Sequence, residues 1–235
     1  IISSTVTDDF IFMIDTENDI RKMSTSIDAT NTGSKSSFEE NSLFTGQVVT
    51  MQTLNSAITG KFHSFDISAD GTFLIAHERS GSGTKFHRIN TAAMNTDAAT
   101  AELSNLYEIY FLVINQDGAY FYVFHETTGV LYYASTNFAD GTTPYMHELN
   151  VKITTTTRQG VMYGNHYIFV SLNSKLARID INRLTVDPFC QTCLSSNYYI
   201  GMSPDQTRLI AVNSNEGQVY VISTGPIPET KNVSL

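Results

Sequence analysis

One repeated unit of strand, turn and strand constrains the fold of this chain most. Its clearest copy, residues 197–224, reads NYYIGMSPDQTRLIAVNSNEGQVYVIST. Pro204 and Asp205 predict a tight turn, because Pro fixes φ and the Asp side chain accepts hydrogen bonds from nearby backbone amides. Short runs of β-forming residues follow at 208–212 and 218–222. Because residues 209–212 are apolar at consecutive positions, we expect both faces of that strand to be buried.

Four weaker copies of this unit precede it. The positions that close the apolar strands are separated by 62, 48, 47 and 41 residues; they are Asp15, His77, His125, Leu172 and Asn213. A period of roughly 40 to 50 residues is typical of four-stranded propeller blades. The polar segment 30–41 predicts a loop, which explains why the first spacing is the longest.

The last copy resembles a known repeat. Ser203-Pro204-Asp205 followed by the runs 209–212 and 219–222 resembles the repeat of YVTN/lactonase-like (WD40-like) β-propellers. The resemblance implies an all-β fold, a β-propeller of about five four-stranded blades that forms a single domain. The approximate blades are 1–54, 55–106, 107–150, 151–196 and 197–235. Within the second, the Ala-rich residues 90–106 are expected to form an irregular connection or an outer strand.

Charge and hydropathy exclude some classes of partner. The chain has 14 basic and 23 acidic residues and a net charge of −9, which argues against nucleic acid as a partner. The sequence has no apolar run long enough to predict a membrane span. Only 16% of residues are charged, and Ser, Thr and Asn are frequent; this composition favours an extracellular or cell-surface location. Since residues 1–7 lack an initiating Met and a signal-peptide pattern, we expect a mature product or part of a longer protein.

The polar turns between second and third strands give the candidate site. In the blade geometry that the resemblance implies, these turns converge on one face of the ring. We call their polar residues the rim set: Asp15, Glu17, His77, Glu78, Arg79, His125, Glu126, Asn173, Asn215 and Glu216. Such a ring can hold a divalent cation or place a carboxylate base beside a His. The alternative, which we favour, is that these turns are polar because they face water.

Other catalytic and cofactor patterns are incomplete. The acidic turn 15–19 starts like a calcium loop, but Ile20 and Ser26 stand where that loop needs Gly and Glu. No His-Glu pair continues to a second His with zinc-protease spacing, and no Gly-x-Ser-x-Gly segment is present. We therefore predict no catalytic residue and no cofactor other than the cation that the rim set could bind.

Two features suggest covalent modification outside the cell. Cys190 and Cys193 are the only cysteines, and a local disulfide is the preferred interpretation, which implies an oxidising compartment. Reduced thiols, or a zinc site completed by distant His residues, are the alternatives. Asn232 begins an Asn-x-Ser sequon, so a secreted chain offers one N-glycosylation site there.

The third unit is rich in aromatic residues, at positions 107–133. An aromatic stripe is typical of carbohydrate-stacking surfaces, but aromatic side chains at strand spacing are more often core residues, and we favour the core. The sequence as a whole predicts a non-enzymatic extracellular binding or assembly module with a protein or glycan partner, or with further copies of itself joined at an unpaired blade edge. The alternative is a lactonase- or hydrolase-like enzyme with its site at the rim.

Overall fold

The structure is a computed structural model that describes residues 3–6, 10–14, 19–24, 51–53, 61–79, 83–106, 108–125, 127–153, 157–172, 175–190, 199–203, 205–213 and 218–224. Over these ranges the chain forms β-strands joined by turns, and no helix is present. The chain divides into two compact units. Unit 1 comprises Ile1–Tyr107 and Phe138–Thr143, and unit 2 comprises Glu108–Asn137 and Pro144–Leu235.

Unit 1 contains two antiparallel sheets in which each strand pairs with the next along the chain. Sheet 1 consists of β1 (Ser3–Val6), β2 (Phe10–Ile14), β3 (Ile20–Ser24) and β4 (Met51–Thr53). Sheet 2 consists of β5 (Lys61–Ile67), β6 (Phe73–Arg79), β7 (Thr84–Asn90) and β8 (Asn95–Ala99). Strand β8 lies in the Ala-rich segment, so the expected outer strand is confirmed.

Unit 2 contains three sheets with the same strand order. Sheet 3 consists of β9 (Ile109–Ile114), β10 (Tyr120–His125), β11 (Val130–Ser135) and β12 (His147–Lys152). Sheet 4 consists of β13 (Thr157–Tyr163), β14 (Tyr167–Leu172), β15 (Lys175–Asp180) and β16 (Thr185–Cys190). Sheet 5 has three strands in the described residues: β17 (Tyr199–Met202), β18 (Arg208–Asn213) and β19 (Gln218–Ser223). The four-stranded unit that the sequence predicts is therefore present in four sheets.

The turn between the first and second strands has the same pair of Asp hydrogen bonds in sheets 2 and 5, and one bond of this pair in sheet 3. In sheet 2 the Asp70 carboxylate accepts bonds from the Ser68 hydroxyl at 2.6 Å and the Thr72 amide at 3.1 Å. The equivalent Asp205 accepts the same two bonds at 2.6 and 3.1 Å. In sheet 3, Asp117 accepts a hydrogen bond from the Ala119 amide at 2.9 Å. The turns predicted from these Asp residues are confirmed.

The residue after each of these Asp residues has a left-handed backbone. Its φ is 70° at Gly71, 72° at Gly118 and 57° at Gln206, and only Gln206 carries a Cβ there, which is unfavourable. The Gln206 side-chain carbonyl accepts a hydrogen bond from the Gly164 amide at 2.7 Å. Gly164 belongs to the equivalent turn of sheet 4, so this contact ties sheet 5 to sheet 4 and offsets part of the backbone strain.

Apolar side chains fill the spaces between consecutive sheets within each unit. The cores lie between sheets 1 and 2, sheets 3 and 4, and sheets 4 and 5. Their residues include, in that order, Phe12, Ile14, Leu74 and Ala76; Phe124, Leu131, Ile168 and Val170; and Phe169, Leu176, Leu209 and Ala211. Alternate residues of β14 enter different cores, because successive side chains of a strand point to opposite faces. Strand β14 is therefore buried on both sides.

Strand β18 differs from the sequence prediction. Leu209 and Ala211 are buried against sheet 4, but Ile210 between them is 37% exposed. On β19, Val219 and Val221 are 62% and 61% exposed. The prediction of burial on both faces is wrong for this strand, because no sheet in the described part of unit 2 covers its second face.

Two glycines in first strands provide a matched test of packing between sheets. A Cβ built at Gly160 in β13 would lie 2.5 Å from the Phe111 ring on β9, whereas a Cβ at Gly201 in β17 would meet no atom within 4 Å. We expect Gly160→Ala to lower the free energy of unfolding by about 1 to 3 kcal/mol, since the Phe111 side chain must move in a filled core. We expect Gly201→Ala to change it by less than about 0.5 kcal/mol.

Urea denaturation of the two variants beside the unsubstituted chain measures this difference. Equal stabilities for Gly160→Ala and Gly201→Ala would contradict the close packing of β13 on β9.

Candidate functional site

The structure places three of the predicted rim residues in a strand instead of a turn. Strand β6 runs through Arg79, and His77, Glu78 and Arg79 pair with Phe86, Lys85 and Thr84 of β7. His125 is the last residue of β10. The other members lie outside the described residues: Asp15, Glu17, Glu126, Asn173, Asn215 and Glu216.

His77 is enclosed in sheet 2, with 1% of its surface exposed. Its Nε2 lies 3.2 Å from the Thr84 hydroxyl, and that hydroxyl donates to the Leu106 carbonyl at 2.5 Å. Since the Thr84 proton is used on Leu106, His77 donates from Nε2 and carries a lone pair on Nδ1. No described group bonds Nδ1. Burial, followed by the positive groups around it, lowers the pKa of His77 to about 3, so the ring is neutral.

Glu78 points to the opposite face of β6 and contacts a histidine that the sequence pattern did not single out. His87 on β7 donates from Nε2 to the Glu78 carboxylate at 2.5 Å, and both residues are buried, at 4% and 8% exposure. The His87 ring also packs edge-on against Phe62, with centroids 5.4 Å apart. Burial lowers the pKa of His87, although Glu78 acts in the other direction. A histidine paired with a carboxylate can transfer protons, but both members of this pair are buried away from solvent.

His125 closes a local turn. The Thr128 amide donates to His125 Nδ1 at 3.2 Å, and the Gly129 amide donates to the His125 carbonyl at 3.0 Å. Gly129 has φ of 71°, and a Cβ there would lie 2.2 Å from the Ile153 carbonyl oxygen, so only Gly fits. His125 is 9% exposed. Of the described rim residues, Arg79 alone is exposed.

A metal site and the covalent modifications stay predictions. In the described ranges no three His, Cys, Asp or Glu side chains come together in a way that suits a metal ion. Cys190 ends β16, but Cys193 lies outside the described residues, as does Asn232. Within the same ranges there is no helix with the length and hydropathy needed to cross a bilayer.

The aromatic stripe of sheet 3 divides into a buried part and an exposed part. Phe111, Tyr122 and Phe124 are at most 5% exposed and belong to the core with sheet 4, as the favoured interpretation predicts. Burial, followed by the nearby Tyr133, raises the pKa of Tyr122 to about 12. At the other end of the same face, Tyr120 and Tyr145 are 43% and 76% exposed.

Three exposed rings and the half-buried Tyr133 form one connected surface, which we call the tyrosine surface: Tyr120, Tyr133, Tyr145 and His147. Tyr133 stacks on His147 with centroids 4.7 Å apart, Tyr145 meets His147 edge-on at 4.4 Å, and Tyr120 meets Tyr133 edge-on at 5.7 Å. Tyr133 and His147 are directly opposite each other on β11 and β12. The sequence analysis missed Tyr145 and His147, because only the strand register brings them to the tyrosines of β10 and β11.

The structure is similar over most of its length to solved structures. The match with the Cps50 (Swd1) β-propeller domain of Myceliophteria thermophila covers 92% of this chain and 67% of that domain, with a TM-score of 0.59 and 12% identity. The match with the Dos1 propeller covers 88% of this chain and only 51% of that one, with a TM-score of 0.50 and 13% identity. The chain has a β-propeller fold.

The structure also matches a chain of hydrazine synthase from Kuenenia stuttgartiensis. This match covers 92% of this chain and 68% of that one, with a TM-score of 0.58 and 15% identity. No family model matches the sequence, and no curated protein does. The likeness to YVTN/lactonase-like repeats is therefore a resemblance in sequence pattern and does not assign the chain to that family. At such low identity the structural matches establish the fold and not the activity.

The buried neutral histidine makes unit 1 sensitive to acid. As pH falls below about 6.5, the unfolded chain protonates His77, but the folded chain does not until the pH approaches the folded pKa of about 3. His77 therefore leaves the free energy of unfolding unchanged above about pH 6.5 and lowers it below that pH. At pH 5 the loss from this residue is about 2 kcal/mol. Urea unfolding at pH 7 and pH 5 measures the loss.

We expect His77→Gln to reduce this pH dependence, because Gln can still bond Thr84 but does not titrate. His147→Gln, at an exposed ring, is the control and should keep the full dependence. If His77→Gln and the control lose equal stability between pH 7 and pH 5, His77 does not cause the acid sensitivity.

Proposed function

We propose that this propeller is a protein-binding module that contacts its partner through the tyrosine surface. The observation that carries the proposal is the exposure of Tyr145 and Tyr120 in one connected aromatic cluster. Tyr side chains bring large contact area at low conformational cost and are enriched among the residues that dominate binding energy. Tyr133 is held between Tyr120 and His147, so much of the surface is ordered before binding.

Charge favours a partner with basic groups. The chain carries a net charge of −9, and Asp117 lies close enough to Tyr122 to help raise the pKa of that phenol. Lys or Arg side chains of a partner would gain from the acidic field and from stacking on the exposed rings. The cluster lies on an exposed sheet face, and such a face can be covered by a protein surface.

The finer parts of the proposal concern blade number and location. Five blades are supported by the five sheets of the described residues, of which sheet 5 has three strands. An extracellular or cell-surface location, with a Cys190–Cys193 disulfide and a glycan on Asn232, is supported by composition and by these motifs. Mass spectrometry of the protein isolated from its source, before and after reduction and deglycosylation, tests the disulfide and the glycan, and with them the oxidising compartment that the location requires.

The rim enzyme has less support. A hydrolase needs a base that substrate can reach, whereas His77 and Glu78 are 1% and 8% exposed and already bonded to neighbours. A glycan partner is the other alternative for the tyrosine surface, because flat exposed rings also stack on sugars. Both alternatives are outcomes of the experiment that follows.

Replacement of one exposed ring tests the binding proposal. Proteins captured on the immobilised chain are purified, and their affinities are measured for the unsubstituted chain, Tyr145→Ala and Asn150→Ala. We expect Tyr145→Ala to weaken binding at least tenfold, since a Tyr that a partner buries on binding contributes about 2 kcal/mol or more when it is an anchor of the interface. Asn150→Ala, an exposed change near the end of β12, should bind like the unsubstituted chain.

Equal affinities for Tyr145→Ala and Asn150→Ala would exclude the tyrosine surface as the binding site. Tyr145-dependent binding to a glycan array, without a protein ligand, would replace the protein partner with a sugar. Hydrolysis of lactone or ester probes that is lost in Arg79→Ala would favour the rim enzyme.

A further inference from the structure

The end of sheet 2 that carries Arg79 is positive, in a chain with 14 basic and 23 acidic residues. Lys61 of β5 and Arg79 of β6 are directly opposite each other, and both are exposed, as is the neighbouring His63. We call Lys61, His63 and Arg79 the basic patch. Like charges that are directly opposite in a sheet destabilise it, so the opposed cations are by themselves unfavourable for the fold.

A β-bulge brings the His63 ring to the same face as Arg79. The register of β5 and β6 shifts between Phe62 and Ser64, which makes His63 the extra residue of β5. Its ring centroid lies 5.9 Å from that of His77. Arg79 follows His77 by two residues on the same strand, so their side chains share a face. Bulges often redirect a side chain beside a functional site.

The opposed cations are a property of sheet 2 and not of the repeat. Sheets 3 and 4 also have a bulge at this end of their first strand. Beyond the bulge, Ile109 pairs with His125 in sheet 3, and Thr157 pairs with Leu172 in sheet 4. Neither pair places two basic residues opposite each other. The basic patch is therefore not required by the repeated fold.

The electrostatic field at this end of sheet 2 is positive. Burial lowers the pKa of His63, and the charges of Arg79 and Lys61 lower it further. Of the described residues, no carboxylate is among the groups that shift the pKa of His63 or His77. Glu78, the acid next in sequence to Arg79, is bonded on the other face of the sheet. An anion at the basic patch would therefore be stabilised by this field.

One buried hydroxyl beside the basic patch also needs an acceptor. Ser64 is opposite His77 on the face of the patch and is 8% exposed. No group in the described part of the chain bonds its Oγ. A buried hydroxyl without a partner is unfavourable, and an oxygen of a bound anion would accept a hydrogen bond from it.

We propose that the basic patch binds a phosphate group. Its three side chains provide N–H donors of three kinds, and a phosphate offers three or more oxygens where a carboxylate offers two. The guanidinium of Arg79 has the fork geometry that matches phosphate oxygens, and the Lys61 ammonium adds a point charge. A dianion between the two cations would also offset their repulsion. The proposal is independent of the tyrosine surface, which lies on sheet 3.

NMR titration of the ¹⁵N-labelled full chain with inorganic phosphate tests the site, at pH 7.5 and with chloride keeping the ionic strength constant. We expect the backbone signals of residues 61–64 and 77–79 to shift with a dissociation constant on the order of 1 mM. Lys61→Gln and Arg79→Gln should each raise that constant at least fivefold, because each removes one cation from the contact. Lys152→Gln, at an exposed Lys of sheet 3, is the matched control and should bind like the unsubstituted chain.

Circular dichroism first confirms that each variant is folded. The absence of a saturable shift up to about 50 mM phosphate would overturn the proposal, and so would equal dissociation constants for Lys61→Gln, Arg79→Gln and Lys152→Gln. Acetate that binds as tightly as phosphate would overturn the assignment of a phosphate group. Phenyl phosphate separates the two sources of that group. Tighter binding than that of inorganic phosphate assigns the patch to an organic phosphate, and equal or weaker binding assigns it to the free ion; either result supports the site.

Discussion

Burial of the second strand on both faces is the constraint on which this structure depends. A strand with apolar residues at consecutive positions sends alternate side chains to opposite sides of its sheet. Ile168 and Phe169 show the result, since they are neighbours in sequence but belong to cores on the two sides of sheet 4. A single sheet cannot satisfy such a strand, so consecutive sheets of the repeat must stack.

The same burial decides what the polar residues at the strand ends can do. His77, Glu78 and His87 lie within the sheet because β6 and β7 extend farther than the turn pattern suggests. Once inside, each side chain needs a partner, and Thr84 and the Glu78–His87 pair supply these bonds. In the described structure these side chains are therefore bonded to neighbours inside the sheet, and the neutral His77 lowers the stability in acid.

Two exposed surfaces arise where the stacking of sheets ends. On sheet 3 the aromatic face is covered by sheet 4 near Phe124, but it continues past that cover to Tyr120 and Tyr145. On sheet 5 one face packs on sheet 4, whereas Val219 and Val221 on the opposite face are exposed. Both surfaces are parts of core-forming sequence patterns that the described sheets leave uncovered.

The sequence by itself determined the local structure. The Asp turns at Asp70, Asp117 and Asp205 and the apolar second strands were predictable, because turn bonds and side-chain alternation depend on residues close in the chain. Only the tertiary structure decided which faces are covered. The register that joins His87 to Glu78 and Tyr133 to His147, and the exposure of Ile210, depend on contacts between strands and sheets, which identical local patterns do not distinguish.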